Sequence, residues 1–245
     1  MGIHWTVYPN HHEASLAVAD TISAVLIEKP ACVLGLATGS TPLEVYAELA
    51  RRHREEALDF GKATTVNLDE YIGLPPGHPQ SYVHYMHEHL FRHINIDRDR
   101  THLPNVHAAD LSESANDFER LVESTGGVDL QLLGIGTNGH IGFNEPGAEE
   151  DSVTRVVDLA PGTIHSNSRF FESESDVPRR AITMGIATIL RARKIVLLAT
   201  GDSKAEAVAE AINGPISRDN PASFLQTHAN VHFVLDSAAA VGLAN

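Results

Sequence analysis

The chain has 245 residues, of which 42% are hydrophobic and 20% are charged, and its formal net charge is -14. These proportions are typical of a globular protein with a substantial core. The negative charge argues against nucleic acids and anionic membranes as partners, because both are bound by basic surfaces. A small anionic ligand is compatible with this charge only if a few Lys or Arg side chains form a local positive site.

No apolar run approaches the length of a transmembrane helix. The first residues, MGIHWTVYPNHHE, lack the basic stretch followed by an apolar stretch that forms a secretion signal. The one cysteine, Cys32, lies in the apolar run ACVLGLA, which is typical of a buried thiol in a reducing compartment. We therefore expect a cytoplasmic protein without a membrane partner.

Strand-like apolar runs alternate with helix-like segments along the chain. In order, these are the strand IHWTVY, a helix over 13–28, a strand over 31–37, the helix LEVYAELARRH, a strand over 63–68, the helices SYVHYMHEHLFRHI and LSESANDFERLVEST, the strand VDLQLLGIG, a helix over roughly 177–191, a strand over 194–200, a helix over 203–212 and a strand over 231–235. Such alternation predicts a mostly parallel sheet that is covered on both faces. We expect a three-layer α/β/α architecture with a doubly wound, Rossmann-like sheet, in a single domain of residues 1–245.

Four of the predicted strands end in unusual polar loops. The loops are TGST (38–41), DEY (69–71), TNGHIGFNEPG (137–147) and GDSK (201–204). Ligands of open parallel sheets bind beyond the carboxyl ends of the strands. We therefore expect the four loops to form one shared site.

Two of these loops have features of a phosphate site. In ATGSTP, Gly39 frees the backbone, Ser40 and Thr41 carry hydroxyl groups, and a helix start offers free N–H groups to an anion. An ordinary helix cap explains this stretch equally well. Lys204 also lies at a helix start, where the helix dipole opposes its charge unless an anion is bound. By itself Lys204 is better explained as a surface charge, but its pairing with TGST favours a phosphate site.

The acidic residues Asp69 and Glu70 follow a strand. One of them could serve as a general base on a carbon acid, and Asp69 is the stronger candidate. The structural alternative is that either residue caps the next turn or pairs with a base such as Arg169.

The 15 histidines include pairs at helical spacing in HYMHEHLFRH, but no Cys cluster or carboxylate set accompanies them, so we assign no metal. His140 is different because it lies in a glycine-rich loop with Glu145 five residues further on. An imidazole can exchange protons near neutral pH, so we interpret His140 as an acid/base group.

Arg169 lies in a Ser- and Asn-containing stretch. The segment 155–180, which contains it, could close over a ligand. In that case Arg169 would bind phosphate, and the alternative is that Arg169 faces solvent.

Taken together, LGLATGSTPLEVY, NLDEYIGLPPGHPQSY, LGIGTNGHIGFNEPG, SNSRFF and GDSKAEAV closely resemble the glucosamine-6-phosphate deaminase (isomerase) family. The resemblance covers nearly the whole chain in the same order. The related 6-phosphogluconolactonases typically continue differently after Gly-His, whereas GHIGFNEPG has the deaminase form. The resemblance implies conversion of glucosamine 6-phosphate and water to fructose 6-phosphate and ammonia, as part of amino sugar metabolism, with no metal or organic cofactor.

The resemblance also implies roles for individual residues. His140 would open the sugar ring with support from Asn138 and Glu145, and Asp69 would carry a proton from C2 to C1 of the open-chain sugar. The phosphate would be held by the remaining candidates, which are Gly39, Ser40, Thr41, Arg169 and Lys204.

One position departs from many family members, since some carry Asp where this chain has Asn138. An Asp would add a charge beside His140, whereas the Asn amide can accept a hydrogen bond but contributes no charge. We hypothesise that Glu145 alone supplies the electrostatic part.

Several alternatives stay open at this point. The chain could be a galactosamine-6-phosphate deaminase, a 6-phosphogluconolactonase, or a sugar-phosphate-sensing domain without catalysis.

Many allosteric, hexameric family members have a longer C-terminal tail, and AEEDSVTRVVDL is acidic rather than basic. We therefore expect weak or absent control by a second sugar phosphate, while the sequence leaves a monomer and a homo-oligomer equally open.

Overall fold

The computed structural model describes residues 3–243, which form a seven-stranded parallel sheet and a separate three-stranded antiparallel sheet. Numbered along the chain, the strands of the large sheet follow one another across it in the order β1 (His4–Tyr8), β10 (Val231–Asp236), β9 (Ile195–Ala199), β6 (Leu130–Leu133), β2 (Val33–Leu36), β3 (Thr64–Asn67) and β5 (Thr101–His102). All neighbouring strands in this sheet are parallel.

In the described residues, seven α-helices connect and flank these strands. They are α1 (His11–Glu28), α2 (Leu43–Glu56), α3 (Tyr82–His89), α4 (Leu111–Ser124), α5 (Pro161–Asn167), α6 (Ile186–Leu190) and α7 (Ala205–Asn213). Every residue of β2, β6 and β9 is buried, so the central strands are covered on both faces. The predicted mostly parallel sheet flanked by helices is therefore confirmed.

The small antiparallel sheet was not predicted. Its strands lie in the order β4 (Asp69–Ile72), β8 (Arg180–Thr183) and β7 (Arg155–Asp158). The predicted helix over roughly 177–191 is wrong, because its first half is β8 and only Ile186–Leu190 is helical. Gly185 separates the two parts, and a side chain there would meet the carbonyl oxygen of Ser152 at 2.1 Å. Pairing with two neighbouring strands outweighs the local helical pattern here.

Three of the four predicted polar loops lie at one edge of the large sheet, together with the start of β4. Residues 69–71 were predicted as the fourth loop but belong to β4. Strands β9, β6, β2 and β3 are consecutive neighbours and run parallel, so the loops that follow their carboxyl ends emerge side by side. Among residues 3–243, no helix has both the length and the apolar character that crossing a membrane requires. The same residues contain no group of three or more His, Cys, Asp or Glu side chains placed to hold a metal ion.

Candidate active site

The turn after β2 has a fixed conformation. Gly39 has a φ angle of 100°, which is in the left-handed region that favours glycine. Its carbonyl oxygen accepts a hydrogen bond of 2.6 Å from the hydroxyl group of Tyr85 on α3. Ser40 and Thr41 follow directly, so their hydroxyl groups lie just before the start of α2.

Two cations lie close together near this turn. The Nη2 atom of Arg169 is 3.4 Å from the hydroxyl oxygen of Ser40, and its guanidinium group lies 4.7 Å from the ring centre of Phe170. Burial lowers the pKa of Lys204, and the positive charge of Arg169 lowers it further. Within residues 3–243, neither cation forms an ion pair with a carboxylate. Two cations without an acidic partner beside hydroxyl groups form a suitable site for an anion.

The two adjacent carboxylates of β4 have different surroundings. Glu70 accepts hydrogen bonds from the backbone N–H groups of Tyr71 at 2.8 Å, Tyr82 at 2.9 Å and Val83 at 2.9 Å. Because the last two residues begin α3, Glu70 caps this helix, and the structural alternative is correct for Glu70. In the described part of the chain, the carboxylate of Asp69 accepts no such hydrogen bond.

Asp69 is a buried acid that faces the glycine-rich loop. It is 6% exposed, and a side chain added at Gly142 would lie 3.4 Å from its Oδ2 atom. Burial, with a smaller contribution from the charge of Glu70, raises the pKa of Asp69 to about 8. A carboxyl group that titrates this close to physiological pH is well suited to accept and return a proton.

The loop after β6 links three of the predicted residues by hydrogen bonds. The Nδ1 atom of His140 is 2.7 Å from the amide oxygen of Asn138 and 3.3 Å from Oε2 of Glu145. The amide nitrogen of Asn138 donates to the same Oε2 atom at 2.8 Å. The amide therefore bridges the imidazole and the carboxylate, and it fixes Nδ1 as the nitrogen that carries the proton.

Glu145 is an ionised carboxylate in this network. Burial by itself would raise the pKa of Glu145, but the hydrogen bond and charge of His140, with further hydrogen bonds from Thr163 and Asn138, outweigh burial and lower this pKa to about 2. A negative charge is therefore present beside His140 throughout the physiological pH range. This charge is the one that the hypothesis about Glu145 and Asn138 requires, and the hypothesis itself stays a prediction.

Two glycines allow the loop to fold this tightly. A side chain at Gly136 would lie 2.2 Å from the ring of His140, and one at Gly139 would lie 2.2 Å from Oδ1 of Asn220. The carbonyl oxygen of Gly139 accepts a hydrogen bond of 2.8 Å from the N–H group of Ala222. The loop is thus fixed from within and also by the segment that precedes β10.

The segment 155–180 makes polar contacts with three neighbouring parts of the chain. On α5, the hydroxyl group of Thr163 donates to Oε1 of Glu145, and Asn167 donates to the hydroxyl group of Tyr71 at 2.7 Å. Arg169 then approaches Ser40, as described above. This segment therefore connects the glycine-rich loop, β4 and the turn after β2.

Most of the sequence-predicted residues occupy two connected groups. One contains Asn138, His140 and Glu145, and the other contains Ser40, Arg169 and Lys204 beside Gly39. Asp69 faces the first group. For Thr41, no side-chain hydrogen bond occurs among residues 3–243, and neither Asp69 nor Glu70 pairs with Arg169.

Three residues that contribute to this arrangement were missed in the sequence. Tyr85 supports the turn after β2, Asn167 contacts Tyr71, and Thr163 contacts Glu145. Asn167 lies in the stretch SNSRFF, but no spacing in the sequence indicates the contact that any of the three residues makes. The stretch APGTIHSN could have indicated a short helix from its Pro at the first position, but not the target of its side chains.

Comparison with known proteins gives consistent matches over nearly the full chain. The sequence profile of the family described as glucosamine-6-phosphate isomerases/6-phosphogluconolactonase matches residues 10–233. A glucosamine-6-phosphate deaminase of Rhodopirellula baltica is 58% identical over 96% of this chain and 93% of its own length. One from Halothermothrix orenii is 51% identical over 94% of this chain and 96% of its own length.

Solved structures give the same result. A structure described as a monomeric glucosamine-6-phosphate deaminase is 46% identical, with a TM-score of 0.95 over 99% of this chain and 100% of that chain. The 6-phosphogluconolactonase of Trypanosoma brucei has a TM-score of 0.78 and 22% identity over 98% of both chains. At that identity, the likeness concerns the fold alone.

Proposed function

Because the chain belongs to the family of glucosamine-6-phosphate isomerases and 6-phosphogluconolactonases, we propose that it converts glucosamine 6-phosphate and water to fructose 6-phosphate and ammonia. The observation that carries this proposal is the combination of a buried Asp69, whose pKa is raised to about 8, with the hydrogen-bonded group of His140, Asn138 and Glu145. The relatives at 58% and 51% identity, both glucosamine-6-phosphate deaminases, support it.

In this proposal, the phosphate group binds at the turn after β2. Arg169 and Lys204 supply the charge, and Ser40 and Thr41 supply hydroxyl donors beside Gly39. The phosphate group of the substrate lies remote from the reacting carbons, so its binding energy can be used to hold C1 and C2 beneath Asp69.

Ring opening is assigned to His140. With the proton on Nδ1 held by Asn138, Nε2 is free to take the proton of the C1 hydroxyl group and to pass it to the ring oxygen O5 as the C1–O5 bond breaks. The charge of Glu145 stabilises the imidazolium form that arises during this step.

Proton transfer between carbons is assigned to Asp69. Its carboxylate removes the proton from C2 of the open-chain aldehyde while the carbonyl oxygen O1 takes up a proton, which gives an enolamine. It then returns the C2 proton to C1 while the amine nitrogen gives up a proton, so that the gain at O1 and the loss at nitrogen cancel. The resulting C2 imine adds water and releases ammonia, which leaves the 2-ketose. Burial of Asp69 suits this role, because a base with a pKa of about 8 is strong enough to accept a proton from carbon more readily than an exposed carboxylate.

The chain is further proposed to act as one domain in which the segment 155–180 serves as a mobile lid. Its contacts with the glycine-rich loop, β4 and the turn after β2 would form on closure and would exclude water from the reacting carbons. The partner is a phosphosugar, in a protein that we expect in the cytoplasm.

An assay for ammonia tests the proposed function. Purified protein is incubated with glucosamine 6-phosphate, with its C4 epimer galactosamine 6-phosphate, and with 6-phosphogluconolactone, and ammonia and lactone hydrolysis are measured. We expect ammonia from an amino sugar and no acceleration of lactone hydrolysis. Lactone hydrolysis without ammonia release would assign the chain to the 6-phosphogluconolactonase branch of the family. If the protein shows neither activity, that result would favour a sensing domain.

A further inference from the structure

Thr163 occupies a defined position between α5 and the proposed ring-opening group. It is 5% exposed, and its hydroxyl group donates to Oε1 of Glu145. The other oxygen, Oε2, receives the amide of Asn138 at 2.8 Å and lies 3.3 Å from Nδ1 of His140. Each oxygen of this carboxylate therefore has its own donor, and the two sets of donors come from different parts of the chain.

The donor to Oε1 fixes the orientation of the carboxylate. Asn138 and His140 belong to the same loop as Glu145, whereas Thr163 approaches from the segment 155–180. Without the Thr163 hydroxyl group, Oε1 loses its donor, and the carboxylate can rotate away from Asn138. The amide of Asn138 would then hold His140 less firmly, because its own partner is displaced.

The same short segment also reaches the proposed phosphate site. Arg169 follows Thr163 by six residues and lies 3.4 Å from the hydroxyl oxygen of Ser40. Between them, Asn167 donates to Tyr71, the neighbour of Glu70 on β4. A change in the position of this segment therefore moves the partner of the phosphate and the partner of Glu145 together.

We propose that Thr163 is a positioning residue for ring opening, which aligns Glu145 with Asn138 and His140 when the segment around α5 contacts the bound phosphosugar. The proposal rests on the proposed deaminase function. It assigns to Thr163 no contact with the substrate and no proton transfer. Its effect is on turnover, while the affinity for an open-chain ligand that needs no ring opening is left unchanged.

The test compares three variants with the wild type. Thr163→Val keeps the shape but lacks the hydroxyl group, Thr163→Ser keeps the hydroxyl group, and Ser166→Ala removes an exposed hydroxyl group from the same helix as a control. Turnover is measured by ammonia release from glucosamine 6-phosphate. Binding is measured with the open-chain alditol 2-amino-2-deoxyglucitol 6-phosphate, which carries the phosphate and amine but cannot form a ring.

We expect Thr163→Val to lower kcat roughly 10- to 100-fold, as expected for a lost hydrogen bond to a charged group. The affinity of Thr163→Val for the alditol should stay within about threefold of the wild type, as should the kcat of Thr163→Ser and Ser166→Ala. Thermal unfolding is followed in parallel, and Thr163→Ala replaces Thr163→Val if the latter does not fold.

Three results would overturn the proposal. These are an unchanged kcat in Thr163→Val, an equal loss of kcat and alditol affinity, or a Thr163→Ser variant as impaired as Thr163→Val. Absence of ammonia with wild-type protein would instead overturn the proposed function, and this inference with it. The two failures are therefore distinguishable.

Discussion

The amide of Asn138 lies between His140 and Glu145 and forms a hydrogen bond with each of them. An Asp at this position could accept from His140 but could not donate to Glu145, so two carboxylates would face each other. With Asn, only Glu145 carries charge, and its pKa is held at about 2 by the surrounding donors, against the effect of burial. The amide thus takes the place of a charged partner by joining the two groups.

Replacing Asn138 by Asp should change the pH dependence of turnover. The added carboxylate stabilises the imidazolium form of His140, so the limb of the kcat profile that reports this group should move to higher pH. The repulsion between the two carboxylates should also raise the pKa of Glu145. Steady-state kcat is measured against pH for both proteins, and an unchanged profile would show that Glu145 does not carry the electrostatic role alone.

The pair Asp69 and Glu70 leads to a second prediction about pH. Since Asp69 must be ionised to act as a base, kcat/KM should rise as the pH increases through about 8, the pKa of Asp69 in the free enzyme. Glu70→Gln removes the neighbouring negative charge, which lowers the pKa of Asp69 and moves this rise to lower pH. The amine of the free substrate titrates identically in both assays, so a difference between the two pH profiles reports a change in the ionisation of the enzyme.

The control for this prediction is Glu113→Gln, which removes an exposed carboxylate from α4. A shift of equal size in Glu113→Gln, or a shift of the Glu70→Gln profile to higher pH, would contradict this prediction.

The raised pKa of Asp69 also makes the free energy of unfolding depend on pH. Because the folded-state pKa of Asp69 lies above the unfolded value of ~3.9, its contribution to stability is fully present below that value and is lost as the pH rises through about 8.

At the scale of elements, the loop 134–147 could be recognised from the sequence, but its internal geometry could not. The sequence indicated that His140 and Glu145 would meet across a glycine turn, and the structure bears this out. The donor role of the Asn138 amide and the contact from Thr163 depend on side-chain directions that no spacing encodes. The tertiary partners decide these directions.

The close approach of Gly136 to His140 predicts the effect of a single methyl group. In Gly136→Ala, the new carbon would meet the imidazole ring at 2.2 Å, so the ring must leave its position beside Asn138. We expect kcat to fall by ~10²-fold or more, as for loss of general acid–base catalysis. Gly134→Ala is the matched control, since a side chain there meets nothing within 4 Å. Equal activity of the two variants would contradict the assigned position of His140.

The secondary structure predicted from the sequence was wrong where pairing between distant strands determined the structure. The residues of β8 read as part of a helix, yet they pair with β4 on one side and β7 on the other. Likewise, Asp69 was expected at the end of a strand but begins β4, one residue after Leu68. Local patterns carry no information on such antiparallel partners, which are distant along the chain.

At the scale of the whole molecule, the alternation of strands and helices was sufficient to predict a parallel sheet with its polar loops at one edge. The order of the strands was not predictable, although β9, β6, β2 and β3 prove to be consecutive neighbours. The net charge is -14, yet Arg169 lies beside Ser40 and its positive charge acts on Lys204. These two side chains form a local positive site in an acidic molecule, and the proposed phosphate group would bind there.

A single substitution tests whether Asp69 moves a proton between two carbons in a deaminase. Asp69→Asn keeps the size of the side chain but removes the base, and ammonia release from glucosamine 6-phosphate is measured beside the wild type. We expect ammonia from the wild type and a loss of ~10²- to 10⁴-fold or more in kcat for Asp69→Asn, with affinity for 2-amino-2-deoxyglucitol 6-phosphate retained. Ammonia release by Asp69→Asn within about tenfold of the wild-type rate would contradict this prediction.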